Sequence, residues 1–199
     1  MSKQILEQTR IKAQKFLKRL ESDDIVLGQY IGCGSYGFVV SAIYKNKIKM
    51  AVKIVDMTEN SLKSNEIDLM KELKHENIIE LVLGFVENDI KVLVMPYATT
   101  NLLTYINFTA VVRKQLLSET QIRHIFRQIM SGIEYMHING YAHRDLKEDN
   151  ILITNLNDMV IKVCDFDFTQ KVFDSNGQLI HSFSMCCKSF KNLFQITNN

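Results

Sequence analysis

The 199-residue chain is 46% hydrophobic and 23% charged, the balance of a globular protein and not of a disordered or fibrous one. Its 24 basic and 22 acidic side chains leave a net charge of +2, too small to argue for a nucleic-acid or membrane-surface partner. Apolar runs such as IKVLVM around Val92 fall short of the roughly 18 residues a membrane span needs, MSKQILEQTR lacks the apolar stretch of a secretory signal, and Cys33, Cys164, Cys186 and Cys187 have no paired spacing, which argues for a reducing compartment.

Residues 3–20 have the spacing of an amphipathic helix. Ile5, Leu6, Ala13, Phe16, Leu17 and Leu20 form its uneven apolar stripe, beside Lys12, Lys15, Lys18 and Arg19. Packing on the rest of the chain is the plain reading of that stripe, and partner binding the sharper one. From Asp24 to Val55 the pattern changes to strands: DIVLGQYIG, FVVSAIY and IKMAVKIVD, separated by a glycine-rich turn and by KNK. Ser61 to Leu73 returns to helical spacing, with Leu62, Ile67, Met70 and Leu73 on one side. Two more strands are expected in IIELVLGFV, starting at Ile78, and in IKVLVMPY, joined by ENDI. After Pro96, the single proline, TNLLTYINFTA and LSETQIRHIFRQIMSGIEYMHING read as helices. The second has an N-cap region at Ser118 and closes at Gly140. ILITNLNDMVIKV reads as two short strands around an Asn/Asp turn. The class is therefore α+β, a strand-rich first half around one helix and then a helical part, forming two lobes with a crevice between them.

Four stretches carry chemistry. IGCGSYGFV, residues 31–39, is GxGxxGxV between two expected strands. Gly32, Gly34 and Gly37 let backbone N–H groups come close enough to cover phosphates. A dinucleotide-binding turn shares this spacing, but that fold needs a helix where this chain has FVVSAIY; a plain glycine-rich hairpin is the remaining bland reading. MAVKI puts Lys53 on an apolar strand, where it needs a negative partner, and Glu66 on the following helix supplies one. That pair would aim an ammonium at the α and β phosphates of a nucleotide. HRDLKEDN offers Asp145 to accept a hydroxyl proton, Lys147 to neutralise a phosphoryl group in flight, and the Asn150 amide oxygen to a metal ion. CDFD follows a strand and puts Asp165 where a carboxylate can hold Mg²⁺ against the phosphates. Phosphoryl transfer asks for this kind of placement and fixed positive charge more than for covalent help.

In this order, across roughly residues 24–170, the motifs resemble the eukaryotic protein kinase family, and Lys147 resembles its Ser/Thr type. The resemblance implies a bilobal fold, with a five-stranded N-lobe carrying one helix over residues 24–98 and an incomplete helical C-lobe over 99–199, after a helical extension at 1–23. It implies ATP and Mg²⁺ as cofactors and a protein with Ser/Thr hydroxyls as substrate; the cytoplasm is the default compartment, with the nucleus left open. Met95 matches the gatekeeper at the back of the adenine pocket and Pro96-Tyr97-Ala98 the hinge. There the proline's missing N–H costs nothing and Ala98 keeps its own. Ile31, Val39, Ala51 and Leu152 match positions around adenine; Met70, Leu81, His143 and Phe166 match the residues stacked between the regulatory helix and the catalytic loop.

The chain also departs from the family. Lys53 and Glu66 are 13 residues apart, a shorter interval than is usual, and Asp145 to Asp165 is a slightly longer one. Asp167 stands where the family has a glycine with positive φ, at an expected cost on the order of 1 kcal/mol and with activity reduced, not abolished. The segment up to Ser182 resembles an activation segment, nearest to testis-specific and calcium/calmodulin-dependent-like kinases. Arg144 matches the arginine that contacts a phosphorylated activation loop, for which Thr169, Ser175, Ser182 and Ser184 are candidate acceptors. Ala-Pro-Glu and the later large-lobe helices have no counterpart. The expectation is a truncated kinase with apolar faces of LTYINF and IRHIFRQIM left partly bare. The alternative is a weak or inactive nucleotide-binding pseudokinase or regulatory fragment acting through a protein that covers this surface.

Overall fold

The computed structural model describes residues 20–33, 37–58, 65–173 and 178. Residues 3–19 of the helix expected over 3–20, residues 61–64 of the one expected over 61–73, Gly34, and Ser175, Ser182 and Ser184 lie outside the described residues. The chain divides into two compact units, residues 1–67 with 80–97 and residues 68–79 with 98–199.

The first unit is built on a five-stranded antiparallel sheet. Its strands are β1 (Ile25–Cys33), β2 (Gly37–Tyr44), β3 (Ile48–Asp56), β4 (Leu83–Glu87) and β5 (Ile90–Pro96), in the order β1-β2-β3-β5-β4. Side chains on a strand alternate between its faces, and here the alternation is regular. Phe38 and Ala42, Met50, Val52 and Ile54, and Ile90, Val92 and Val94 pack on one face, joined by Leu20, Ile25 and Phe85. The β2–β3 hairpin turns through Lys45 and Asn46 at φ 49° and 57°, and the β4–β5 hairpin through Asn88 and Asp89 at 47° and 61°. Two consecutive positive-φ residues make the tight hairpin turn whose twist suits flanking strands, and Asn and Asp tolerate it well. KNK and ENDI, expected as strand separators, are these turns.

The second unit contains α2 (Leu102–Asn107), a π-helical turn (Phe108–Val112) and α3 (Glu119–Ile138). The helix α1 (Glu66–Glu72) begins with two residues of the first unit. Ser118 and Gln121 cap α3 reciprocally, and Gly140, at φ 81°, follows its end. A buried stripe of Ile125, Ile129, Gly132, Ile133 and Met136 runs along that helix. A Cβ on Gly132 would lie 2.9 Å from the Asn77 carbonyl oxygen, so the helix and the 75–79 segment pass too close for a side chain there.

The strands β8 (Ile151–Asn155) and β9 (Val160–Val163) form the hairpin expected in ILITNLNDMVIKV, and β6 (Thr100–Asn101) pairs with β8. A further pair, β7 (Tyr141–Ala142) and β10 (Gln170–Lys171), frames the segment between them. The strand expected from Ile78 instead starts at Leu83. Ile79 donates its N–H to the Val163 carbonyl at 2.9 Å, while Val163 donates to that of Asn77 at 2.8 Å. Ile78 and Ile79 are thereby committed to β9, and both are buried. Gln128 of α3 ties this region together. Its Oε1 accepts from Asn77 Nδ2 at 3.2 Å and from the Ile161 N–H at 2.9 Å, and its Nε2 donates to the Met159 carbonyl at 2.8 Å.

Candidate active site

In the first unit, strand pairing gathers the candidate nucleotide residues on the face opposite the apolar core. Lys53 on β3 lies across from Val39 on β2 and Leu93 on β5; Ala51 lies across from Met95, Gly37 from Val55, and Gly32 from Val39. Residues directly opposite in an antiparallel pair share a face, so Gly32, Gly37, Val39, Ala51, Lys53 and Met95 share one. Ile31 is exposed on β1. Pro96 ends β5 opposite Met50, so only its backbone is suited to meet a ligand on the Lys53 face. The two described glycines of the turn differ in kind. A Cβ on Gly37 would sit 2.1 Å from the Ile54 carbonyl oxygen, whereas one on Gly32 would meet nothing within 4 Å.

Glu66 opens α1 with only 2% of its side chain exposed. Its Oε1 accepts from Lys53 Nζ at 3.2 Å, so the short interval between the two residues is compatible with the pair. Its Oε2 accepts from a second lysine, Lys91 on β5, at 2.5 Å. Lys91 is missing from the sequence-derived set. It sits in IKVLVM two residues before Leu93 and four before Met95, which puts it on the Lys53 face and opposite Val55. Its signal in the sequence is a lysine in phase with that alternation, within a run whose other members are all apolar.

In the second unit, the residues of HRDLKEDN form one connected network. His143 donates from Nε2 to the Cys164 carbonyl at 3.0 Å and accepts at Nδ1 from the Asp145 N–H at 3.3 Å. Using one nitrogen as donor and the other as acceptor requires a neutral ring. Burial pushes the His143 pKa down and Lys147 adds to this, against the Cys164 bond and the charges of Asp165 and Asp145. Asp145 is buried, and its Oδ2 accepts from Lys147 Nζ at 2.6 Å and from Asn150 Nδ2 at 3.1 Å. Burial works against the Lys147 charge, but the Asp145 bond and the carboxylates of Asp145, Asp165 and Asp149 prevail and raise its pKa. Asn150 also donates to the Asp145 carbonyl at 2.8 Å. Its amide nitrogen is thus spent on Asp145, which leaves Oδ1 as the atom it can offer a cation. Together with the Asp165 carboxylate this is a hard-oxygen set of the kind Mg²⁺ takes.

Asp165 is half-buried, and its backbone is left-handed at φ 67°, as is that of Arg144 at 67°. Asp167 is not among the positive-φ residues. The backbone cost expected at Asp167 is therefore not incurred there; it falls on Asp165, two residues earlier, and the extra carboxylate is accommodated in ordinary backbone. Phe166 is buried, with its ring 5.4 Å from that of His143. Leu152 lies half-buried on β8, across from Asn101 and Lys162, and Ala98 is half-buried ahead of β6. As expected, LTYINF and IRHIFRQIM leave apolar side chains exposed: Phe108, Phe126 and Met130.

Residues 25–189 match the protein kinase domain model. The chain is 34% identical over 164 residues to a probable myosin light chain kinase of Dictyostelium discoideum, covering 79% of this chain and 46% of that protein. It is 34% identical over 147 residues to a probable serine/threonine-protein kinase of the same organism, covering 71% of this chain and 28% of that one. With NUAK family SNF1-like kinase 1 of Mus musculus the identity is 36% over 155 residues, 70% of this chain and 21% of the relative. The chain thus spans less than half the length of these relatives. Their differing names do not single out the testis-specific or calcium/calmodulin-dependent-like branch. No helix among the described residues is long and apolar enough to cross a membrane. With the domain model matched over most of the chain and relatives named as serine/threonine kinases, the chain belongs to the protein kinase family.

Proposed function

We propose that the protein transfers the γ-phosphate of ATP to serine or threonine hydroxyls of a protein substrate, with Mg²⁺ as the divalent ion and the cytoplasm as its compartment. In this reading residues 24–98 are the nucleotide lobe and 99–199 part of the substrate lobe. The observation that carries it is the arrangement around Asp145, a buried carboxylate held through one oxygen by Lys147 and Asn150. Because both partners take Oδ2, Oδ1 is the oxygen for a substrate hydroxyl, orienting it and accepting its proton as the new O–P bond forms. Lys147 keeps its charge beside the transferring group. Lys53 meets the α and β phosphates, with the glycine-rich turn of Gly32, Gly34 and Gly37 as their candidate cover; in the first unit Ile31, Val39, Ala51, Met95 and the Pro96 C=O are the candidates for adenine, and in the second unit Leu152 and the Ala98 N–H. Asn150 Oδ1 and the Asp165 carboxylate would hold Mg²⁺, which when bound would offset phosphate charge.

The test is transfer of labelled γ-phosphate from ATP to a basic Ser/Thr peptide. Asp145→Asn removes the proton acceptor while keeping the shape of the side chain, so the rate falls on the order of 10²- to 10⁴-fold. Equal rates in the two proteins would end the reading. ATP binding with no transfer in the wild type would favour the regulatory alternative, in which the exposed Phe108, Val111 and Val112 would meet a protein partner.

A further inference from the structure

Lys53 and Lys91 each contact one carboxylate oxygen of Glu66, and the two contacts are not equal. Lys53 reaches Oε1 at 3.2 Å and is 16% exposed; Lys91 reaches Oε2 at 2.5 Å and is 2% exposed. The closer and drier contact is the one to Lys91. A carboxylate buried to this degree is costly without a cation and is held most firmly by the partner that water cannot replace. Lys91 itself is fixed by the sheet, paired across from Val55 on β3 and Val86 on β4. The strand therefore supplies Glu66 with an anchor that does not depend on Lys53.

We propose that Lys91 is a positioning residue for the phosphate-binding lysine: by holding Glu66 Oε2 from inside the sheet, it keeps Glu66 in place while leaving Lys53 only the outer oxygen, so that the Lys53 ammonium is aimed at a polyphosphate and not captured by the carboxylate. This rests on the nucleotide-binding reading above. Without Lys91, Glu66 Oε2 would lose the cation at 2.5 Å, and the carboxylate would draw more strongly on Lys53. Phosphate recognition would then suffer while recognition of the adenine would not, since Lys91, although on the same face as Val39, Ala51 and Met95, is buried and presents no surface to a ligand.

The experiment compares Mg·ATP and adenosine affinities, by calorimetry on the full chain, for the wild type, Lys91→Met and Lys91→Arg. Lys91→Met is expected to weaken Mg·ATP roughly tenfold, the loss typical of one charge-assisted hydrogen bond, with adenosine affinity unchanged and Mg·ATP affinity regained in Lys91→Arg. A parallel loss of both ligands would make Lys91 a purely structural residue and overturn the proposal, as would a folded Lys91→Met that binds Mg·ATP like the wild type. Should the methionine variant not fold, Lys91→Gln, which keeps a donor toward Glu66 without the charge, is read by the same ATP-to-adenosine comparison. A wild-type protein that binds neither ligand would remove the nucleotide reading itself, and this inference with it.

Discussion

His143 shows how one side chain couples the hydrogen bonding of the candidate site to solution conditions. Its two ring nitrogens join the Asp145 backbone to the Cys164 carbonyl, one residue before Asp165, and only the neutral ring can serve both. The depressed pKa fixes the sign of the consequence. Above the ordinary value of 6.5 the ring is neutral folded and unfolded, and its contribution to stability is complete. As pH falls below 6.5 the unfolded chain takes up the proton first, so stability declines until the folded-state pKa is reached. Urea midpoints followed from above pH 6.5 downward should therefore fall more steeply in the wild type than in His143→Gln; parallel curves would mean that His143 does not titrate this way. At this scale the sequence was informative where a residue's partners were near in the chain, as in HRDLKEDN. It was silent on Lys91, whose partner Glu66 lies 25 residues away on another element. It also put the left-handed strain on Asp167, because composition marks an unusual residue but not which neighbour absorbs the turn.

Elements were legible in proportion to their length and punctuation. The helix α3 announced itself through the Ser118 cap, its apolar spacing and Gly140, and the five strands of the first unit through alternation and Asn/Asp turns. The two-residue strands β6, β7 and β10 are too short to carry a period. The strand expected from Ile78 starts later, at Leu83, because Ile78 and Ile79 bond to β9, far along the chain. The β1–β2 hairpin carries a prediction that separates structural from functional glycine. Gly37 is pressed against the backbone of β3, so Gly37→Ala must push the strands apart and should cost about 1–3 kcal/mol of stability, the usual range for overpacking. Gly32 has open space and no positive φ, so alanine there should leave stability equal or raised by about 0.5–1 kcal/mol, as expected for a strand position. If bound phosphates are what occupy that space, Gly32→Ala should nevertheless weaken ATP. Thermal unfolding and ATP titration of the two variants would check this, and a Gly32→Ala protein with unchanged ATP affinity would reduce the motif to a plain hairpin.

For the whole molecule, the motif order from the glycine-rich turn to CDFD was the most informative feature of the chain, since the family follows from the series and from no single member. Stability gives the corresponding test, because a ligand that binds only the folded state adds to unfolding free energy by mass action, about 2.7 kcal/mol at a hundredfold excess over Kd. Spread over a chain of 199 residues, this corresponds to a rise in Tm of about 5–10 °C. The divalent ion should account for a distinct share. Without it, ATP would bring its full negative charge toward the Asp165 carboxylate, so repulsion would oppose binding. With it, the Asp165 carboxylate and Asn150 Oδ1 would hold the ion, and its charge would offset that repulsion. Wild-type protein should thus gain more from ATP with magnesium than with a chelator present. In Asp165→Asn the two shifts should converge, as the variant loses the main anionic ligand and the main source of repulsion together. A wild-type shift that is the same with chelator as with magnesium would show that Asn150 and Asp165 hold no metal with the nucleotide.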